Sequence, residues 1–505
     1  MYVFYRNTVL YIAYTLAVFK YSAGHVIAHQ ANDEETNGFL SLITTSFHSS
    51  GPNIYDRHGE LVWAGAADGL ASNAYGFHGV QMFGRGHGYG LILDDRYKVV
   101  KTVQSREGLD IHEFSPVDGG QSALVTKYST RPFDFEGIPN PQGLREIEEG
   151  VFEEIDLQND TVIFGWHSLD HVKPTSAERT IEFENGQAPV YDYLHINSVD
   201  KNYDGDYLIS ARHTSAVYKV SGVDGSVIWT LSNGPESNFT LDGFTIWGAH
   251  HARWRSENDT QTIFTLFNNG YDGARAGTDH SSGLVIALDH TTLRAHVLNE
   301  YGGAEGLGAV SKGSVQTLPD TNNVLVGWGS EPHITEYLGD GTLVFHASIA
   351  GGGDTYRVFK HDDWVGNPTD PPALWTYART ARDDSPTAFY VSWNGATEVQ
   401  TWNFYVGTDR EETPGSFALA GSKDRSGFET AFSLPTYCPW AFAEAVAGNG
   451  TSLGNSSVVS PWTPRGTLAE ECDDWRCPER VADFPVTRNG RVDRMFWHFE
   501  HSGFV

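Results

Sequence analysis

The chain has 505 residues, with 64 acidic and 34 basic side chains and a formal net charge of −30 at neutral pH. Such acidity disfavours nucleic acid and anionic membranes as partners, because both are bound by basic surfaces. Hydrophobic residues make up 40% of the chain and aromatic residues 13%, so it can bury a large core, and its length predicts more than one domain.

The N-terminus has the order of a secretory signal peptide. Arg6 precedes a mostly apolar run at 8–19, which is too short to span a bilayer, and small residues at 22–24 offer a cleavage point. We therefore predict that residues 1–24 are removed and that the protein enters the secretory pathway or leaves the cell. A signal anchor is the alternative, although Lys20 ends the apolar run early, and no later stretch predicts stable membrane insertion.

Two further features bear on an oxidising compartment. Cys438, Cys472 and Cys477 allow one disulfide with one thiol left over, the pairing being open, and they lack the second Cys or His pair of a zinc site. We interpret them as structural. Five glycosylation sequons fall near predicted turns, at Asn159, Asn238, Asn258, Asn449 and Asn455.

Residues 192–231 predict four short strands joined by tight turns. The strands are expected at 195–199, 207–210, 216–220 and 227–229, with Asp/Gly turns between them. Four such strands form one antiparallel sheet, which is the unit of a β-propeller blade.

The last turn and strand of this unit recur along the chain. Six copies over about 290 residues have the period expected of propeller blades; they begin at Tyr55, Leu93, Asp156, Val223, Leu288 and Tyr337. The sequence therefore predicts an all-β protein with a six-bladed β-propeller at residues 40–368, five or seven blades being the alternatives.

A different pattern follows the Asn-Pro and Pro-Pro pairs at 367–372, which predict a linker. Alternating aromatic and small residues predict a fibronectin type III-like sandwich over residues 373–464, with Trp393 and Trp402 in its core. Residues 465–505 are a polar C-terminal tail with several aromatics near its end.

Three histidines stand near the start of strands that would line the propeller channel: His112, His195 and His250. Equivalent positions in different blades converge on the axis, so we predict that they meet there as general acid/base groups. His250 is predicted to face His195, while His251 points to the other face of its strand. Structural histidines are the alternative, and without a carboxylate-rich motif we predict no metal site.

Two other chemistries find little support. The chain contains no Gly-Xaa-Ser-Xaa-Gly nucleophile elbow. The glycine-rich segment at 84–88 lacks the strand-to-helix context of a nucleotide site, so we interpret it as a turn. No cofactor is predicted.

Several ordered motifs resemble fungal members of the arylsulfotransferase family over roughly residues 40–368. They are DIHEF at 110–114, FGWHSLDHV at 164–172, the stretch from DYLHINSVD to DGSVIWTL at 192–231, WGAHHAR at 247–253 and GSVQTLP at 313–319. The resemblance implies a six-bladed propeller, and the sandwich resembles the C-terminal part of those chains.

Relatives in bacteria move a sulfuryl group between phenols through a histidine, without a nucleotide donor. The resemblance places channel histidines at His195 and His250. It implies an arginine where this chain has Ser282, and a further histidine where Ser311 and Lys312 stand. Sulfuryl transfer needs a nucleophile and cations for three anionic oxygens, so part of that equipment is missing.

Other chains of this type resemble hetero-Diels–Alderases. These dehydrate a phenol or tropolone to a quinone methide and couple it to a terpene alkene, which needs an aromatic pocket and one acid/base group. The sequence favours this reaction on a small molecule, with Trp247, Arg212 and Arg253 as substrate-binding residues. A nucleotide-independent arylsulfotransferase is the alternative, and a non-catalytic binding propeller is the second. The oligomeric state is open.

Overall fold

The computed structural model describes an all-β protein in two compact units. The described residues of one unit lie within 14–366 and those of the other within 367–464. The residues it describes are 26–31, 39–46, 49–65, 74–75, 80–81, 88–106, 108–140, 143–178, 191–271, 276–302, 307–349, 354–361, 364–411 and 416–464. The predicted signal peptide, the C-terminal tail, Cys472 and Cys477 lie outside them. Among these residues no helix is long and apolar enough to cross a membrane.

Strands supply nearly all the regular structure of the first unit. They are β1 (Val26–Ala31), β2 (Phe39–Ser46), β3 (Ser49–Tyr55), β4 (Leu61–Ala64), β5 (Ala74–Tyr75), β6 (Val80–Gln81), β7 (Tyr89–Leu93), β8 (Val99–Val103), β9 (Phe114–Val117), β10 (Ser122–Pro132), β11 (Glu146–Asp156), β12 (Val162–His167), β13 (Tyr191–Asp192), β14 (Ile196–Lys201), β15 (Tyr207–Ala211), β16 (Ala216–Val220), β17 (Val227–Ser232), β18 (Thr240–Leu241), β19 (His250–Glu257), β20 (Gln261–Asn268), β21 (Ser282–Asp289), β22 (Arg294–Gly302), β23 (Ser314–Thr317), β24 (Val324–Gly327), β25 (His333–Tyr337), β26 (Leu343–Ile349) and β27 (Thr355–His361). Single 3-10 turns are described at Asp118–Gly120, Ser168–Asp170 and Pro174–Ser176.

Within its described residues, this unit contains six sheets built on four antiparallel strands each. Five take their four strands consecutively: β5–β8, β9–β12, β14–β17, β19–β22 and β23–β26. In the sixth, β27 pairs with β2 and completes the sheet of β2–β4. In the other direction β1 adds to β26, so two sheets join early and late parts of the unit. Successive four-stranded sheets are the unit of a propeller.

Each predicted repeat forms an antiparallel hairpin, and each hairpin is in a different sheet. The pairs are β3 with β4, β7 with β8, β11 with β12, β16 with β17, β21 with β22, and β25 with β26. The hairpin arises because alternating apolar residues flank an Asp-, Asn- or Gly-containing turn. Six blades around one axis stay a prediction.

Apolar side chains fill the space between neighbouring sheets. Phe152 and Trp166 belong to the sheet of β9–β12, and they cluster with Tyr207 and Tyr218 from the next sheet. The Trp166 indole N–H also donates to the carbonyl of Gly225, at 3.1 Å. Residues of these two neighbouring sheets therefore share one hydrophobic core.

The predicted turns of the stretch at 192–231 are found in the sheet of β14–β17. Gly205 has φ +88°, in the left-handed region that favours glycine. Gly222 has no such φ, but a Cβ there would lie 1.9 Å from the carbonyl oxygen of Gly205. One glycine therefore permits a backbone conformation and the other permits a close approach.

Gly222→Ala is expected to destabilise the protein more than Gly205→Ala. A Cβ at 222 must displace backbone, whereas a Cβ at 205 meets nothing within 4 Å. We expect about 3 kcal/mol or more for Gly222→Ala and about 1–2 kcal/mol for Gly205→Ala, measured by urea denaturation. Equal losses of unfolding free energy would contradict this prediction. They would show that the backbone at 222 moves away from Gly205 and makes room for the added Cβ.

In the part of the second unit that the structure describes, two sheets share one core. The strands are β28 (Ala373–Ala378), β29 (Thr387–Ser392), β30 (Val399–Gly407), β31 (Phe417–Asp424), β32 (Glu429–Leu434), β33 (Trp440–Ala447) and β34 (Ser452–Asn455). One sheet has the order β28-β29-β32 and the other β31-β30-β33-β34. Trp402 and Phe404 are buried between them, with Phe404 stacked on Phe432 at 4.5 Å.

The predicted core tryptophans differ in their surroundings. Trp402 is 2% exposed, whereas Trp393 is only partly buried and donates its indole N–H to the carbonyl of Asp370 at 2.5 Å. Cys438 is a buried thiol. The fibronectin type III topology stays a prediction.

Candidate functional site

The first strands of several sheets meet around one buried carboxylate. Glu113 directly precedes β9 and forms ion pairs with Arg253 on β19, at 2.6 Å, and Arg357 on β27, at 2.7 Å. The backbone N–H of Val199 on β14 donates to the same carboxylate at 3.1 Å. Four sheets are thus tied together at one point, which we call the Glu113 cluster.

Glu113 is charged in this cluster. Burial by itself would raise the pKa of its carboxyl, but the guanidinium groups of Arg253 and Arg357 outweigh burial and lower the pKa to about 2. Arg357 also donates to the carbonyls of His112 and Asn197, each at 2.8 Å. The cluster therefore fixes the backbone beside the candidate histidine His112.

In each of two histidines, the ring nitrogen Nδ1 is hydrogen-bonded to a carboxylate. Nδ1 of His112 is bonded to Asp110, which also accepts the His112 backbone N–H at 3.0 Å. Nδ1 of His195 lies 2.5 Å from Asp192, which likewise accepts the His195 backbone N–H, at 2.9 Å. Such a carboxylate holds the proton on Nδ1 and directs Nε2 the other way. We call these pairs the two dyads.

The dyads face each other. The ring centroids of His112 and His195 are 5.0 Å apart at 79°, and their side chains are 13% and 19% exposed. Tyr128 lies within 6 Å of both rings, and Tyr356 lies 5.7 Å from His112. Burial raises the pKa of both phenols, so they stay neutral. His112 and His195 are therefore placed as an acid/base pair, with the rings of Tyr128 and Tyr356 beside them.

Local backbone geometry holds His195 in place. Its φ is +54°, in the left-handed region where a non-glycine residue is strained. The turn that precedes β14 imposes this conformation, since Asp192 binds both the ring and the backbone of His195. Strain of this kind is found at sites where one side chain must keep one orientation.

Both ring nitrogens of His250 are hydrogen-bonded within the protein. Its Nδ1 donates to Asn269 Oδ1 at 2.6 Å and approaches the Gly248 carbonyl at 2.9 Å, while Nε2 accepts the Lys312 backbone N–H at 3.3 Å. Burial, and then the charge of Arg212, lower its pKa well below the usual value. His195 and His112 also act electrostatically on the His250 ring. A role for His250 as an acid/base group opposite His195 stays a prediction.

His251 and His250 each accept a backbone N–H from the segment at 312–315. That His251 points to the other face of its strand stays a prediction. His251 is 2% exposed, and its Nδ1 accepts the backbone N–H of Val315 at 3.2 Å. Burial, followed by the charges of Arg253 and Arg357, lowers its pKa well below the usual value.

The predicted substrate-binding residues lie in three places. Arg253 belongs to the Glu113 cluster. Arg212 follows β15, is 9% exposed and donates to the carbonyl of Val310 at 2.8 Å. Trp247 is half-buried before β19, where its ring packs on Gly277 so closely that a Cβ there would lie 2.0 Å away.

The structure also places the two positions at which this chain differs from the arylsulfotransferase pattern. Ser282, a neutral residue where the pattern has arginine, begins β21 and is 3% exposed. Lys312 has φ +65°, and its ammonium is paired with Asp354.

Sequence reasoning missed several residues of this site. Glu113 directly precedes β9 and Tyr128 lies on β10 of the same sheet, whereas Tyr356 and Arg357 are neighbours on β27. No local pattern connects these two distant parts of the chain. The two dyads did leave a signal, because an aspartate stands two residues before His112 and three residues before His195.

One group of residues has the composition of a metal site. Asp192, His195 and His213 each offer a ligand atom, and these atoms lie within 4.8 Å of one another. His213 was not singled out from the sequence, which predicted no metal.

Sequence comparison identifies the class to which this all-β protein with paired His–Asp dyads belongs. Residues 74–350 match the family model described as Arylsulfotransferase (ASST), which is more than half of the chain. The chain is a member of the arylsulfotransferase family. No curated protein matches it.

Solved structures resemble the chain only distantly. A protein of unknown function from Bacteroides caccae has 11% identity and a TM-score of 0.38, covering 64% of this chain and 99% of its own. The Dos1 propeller has 14% identity and a TM-score of 0.28, covering 63% and 69%. The Malassezia sympodialis allergen Mala s 1 has 11% identity and a TM-score of 0.27, covering 74% and 90%.

Proposed function

We propose that this protein transfers a sulfuryl group from an aryl sulfate to a phenol without a nucleotide donor. The observation that carries the proposal is the pair of facing dyads, His112 with Asp110 and His195 with Asp192, in a chain of the arylsulfotransferase family. One histidine serves as nucleophile and the other as acid/base.

His195 is the proposed nucleophile. Asp192 keeps the proton on Nδ1, so the Nε2 lone pair attacks sulfur, an N–S bond forms and the S–O bond to the donor phenol breaks. His112, as imidazolium, gives its proton to the leaving phenolate. In the second half, His112 removes the proton of the acceptor phenol, whose oxygen attacks sulfur and releases His195.

Electrostatics decide how well this site handles the three sulfuryl oxygens. Arg253 and Arg357 are paired with Glu113, and Lys312 is paired with Asp354. Arg212 is a further candidate, because the charge of its guanidinium acts on His250 and its side chain donates to the Val310 carbonyl at 2.8 Å. We propose Arg212 as the sulfuryl-binding cation.

The ion-paired cations favour a second candidate function. In dehydration of a phenol or tropolone to a quinone methide, followed by hetero-Diels–Alder coupling to a terpene alkene, no sulfuryl oxygens need cations. His112 would then protonate the departing hydroxyl while His195 takes the phenolic proton, beside Tyr128 and Tyr356. A non-catalytic binding propeller is the remaining class.

The architectural and cellular parts of the proposal follow from the same chain. We propose that the six sheets form one six-bladed propeller, that the second unit is a fibronectin type III module, and that the protein is secreted and glycosylated. Exposed positions of all five sequon asparagines support glycosylation; Asn455 lies on a strand rather than in a turn.

The test is incubation of the purified protein with 4-nitrophenyl sulfate and a phenolic acceptor, with no nucleotide added. We expect release of nitrophenol, formation of the sulfated acceptor, and ping-pong kinetics. Trapping of a sulfonylated peptide containing His195 would support the nucleophile assignment.

A folded protein that leaves all aryl sulfates intact would refute sulfuryl transfer. If it instead dehydrates a hydroxymethyl phenol or tropolone and yields a cycloadduct with a terpene alkene, the second candidate is correct.

A further inference from the structure

Asp192, His195 and His213 bring two imidazoles to one carboxylate. Oδ2 of Asp192 lies 2.5 Å from Nδ1 of His195 and 3.9 Å from Nδ1 of His213. The His195 and His213 rings are 4.4 Å apart at 36°. Their side chains are 19% and 4% exposed, and that of Asp192 is 9% exposed. This group is mostly shielded but accessible on the His195 side.

The backbone arranges these residues before any ligand binds. The N–H of Arg212 donates to the carbonyl of His195 at 3.0 Å, and the N–H of His213 donates to that of Leu194 at 3.1 Å. The Asp192 carboxylate also accepts the His195 backbone N–H at 2.9 Å. Because the backbone is already fixed on both sides, the site loses less conformational entropy when a ligand binds.

We propose that Asp192 Oδ2, His195 Nδ1 and His213 Nδ1 bind one divalent transition-metal ion of the Zn²⁺ type. Two imidazoles and one carboxylate are a ligand set that Zn²⁺ accepts, and three protein ligands leave a fourth position open. Bonds of about 2.0–2.2 Å require ligand atoms at most about 4.4 Å apart. The 3.9 Å separation fits this limit, and all three ligand atoms lie within 4.8 Å of one another. Binding of the ion must lengthen the 2.5 Å contact between Asp192 and His195.

In the metal-free protein, hydrogen bonds take the place of the ion. His213 Nδ1 is 2.6 Å from the Asp192 carbonyl, and His195 Nδ1 bonds the Asp192 carboxylate. A metal on Nδ1 must displace each proton, and in a neutral imidazole that proton moves to Nε2. The ion and the proton thus compete for the same two nitrogens.

The ion inhibits catalysis if the proposed function is correct, and this consequence rests on that function. Attack on sulfur needs the Nε2 lone pair of His195, which a proton on Nε2 removes. Binding itself depends on the three ligands alone. The site therefore makes the enzyme sensitive to free zinc.

The experiment is titration of chelator-treated full-length protein with ZnCl₂ by calorimetry, and with CoCl₂ by visible absorption. We expect one ion per chain, d–d bands of a site with nitrogen and oxygen ligands, and a higher Tm with zinc because only the folded state binds it. His213→Gln and Asp192→Asn are each expected to weaken binding by at least about tenfold. His296→Gln is the matched control, since His296 forms an exposed pair with Asp242 at 2.8 Å and should leave binding unchanged.

Absence of one-to-one binding to the wild type, or equal binding by the His213→Gln and His296→Gln variants, overturns the metal site. Circular dichroism checks the fold of each variant, and the wild-type titration decides the matter if a variant unfolds. Activity measured in EDTA tests sulfuryl transfer separately, so either proposal can fail alone. If zinc binds at this site and does not slow an active enzyme, the proposed inhibition is wrong.

Discussion

Glu113→Gln is expected to lower the free energy of unfolding by about 3–5 kcal/mol. The substitution leaves Arg253 and Arg357 without their shared charge, and removing one partner of a buried ion pair strands the others in a low-dielectric interior. The side chain of Glu113 is 0% exposed and that of Arg357 5%. Urea denaturation of the wild type and the variant measures the loss.

From the pKa of Glu113 we also predict that the wild-type protein loses stability in acid. The pKa of Glu113 falls from 4.5 to about 2 on folding. A depressed folded-state pKa contributes stability above the unfolded-state pKa, and this contribution is lost as the pH falls from about 4.5 to about 2. We expect the free energy of unfolding of the wild type to fall by about 3 kcal/mol over this pH range because of Glu113. The Glu113→Gln variant should not show this fall.

Asp242→Asn is the matched control, because Asp242 pairs with Arg294, whose side chain is 51% exposed. Exposed pairs contribute about 0–1 kcal/mol, so this variant should unfold near the wild-type midpoint. If Glu113→Gln behaves like Asp242→Asn, the Glu113 cluster does not hold the four sheets together.

His195→Ala is expected to lower kcat for sulfuryl transfer by at least about 10²–10⁴-fold. The proposed nucleophile is then missing, while the Glu113 cluster stays intact, so the urea midpoint should move little. Imidazole added to the assay should restore part of the rate, because it fills the space of the lost ring and supplies the attacking nitrogen.

Asp192→Asn is expected to lower kcat less, with KM little changed, because an amide positions His195 but no longer favours the Nδ1 proton. His296→Ala serves as the control, since His296 is an exposed residue of β22. Wild-type activity in a folded His195→Ala variant would remove His195 from the chemistry, whichever of the two reactions proves to be catalysed.

Sequence patterns predicted the local structure of the first unit well, for a physical reason. Strand alternation and Asp/Gly turns are decided by neighbours a few residues apart, as in the hairpin of β16 and β17 and the turn at Gly205. The histidines His112, His195 and His250 were found near the starts of β9, β14 and β19 for the same reason.

By itself, therefore, the sequence determined the all-β class, the repeated hairpins and the histidines worth testing. Only the tertiary structure decided which of them meet. Glu113 is 140 residues from Arg253 and 244 from Arg357, and no local pattern encodes such pairs. Packing of the sheets brings His112 to His195, and it surrounds His250 with Asn269 and the Lys312 backbone. Hydrogen-bond partners of a buried ring are set by whichever chain segments pack against it, and that choice is made over the whole core.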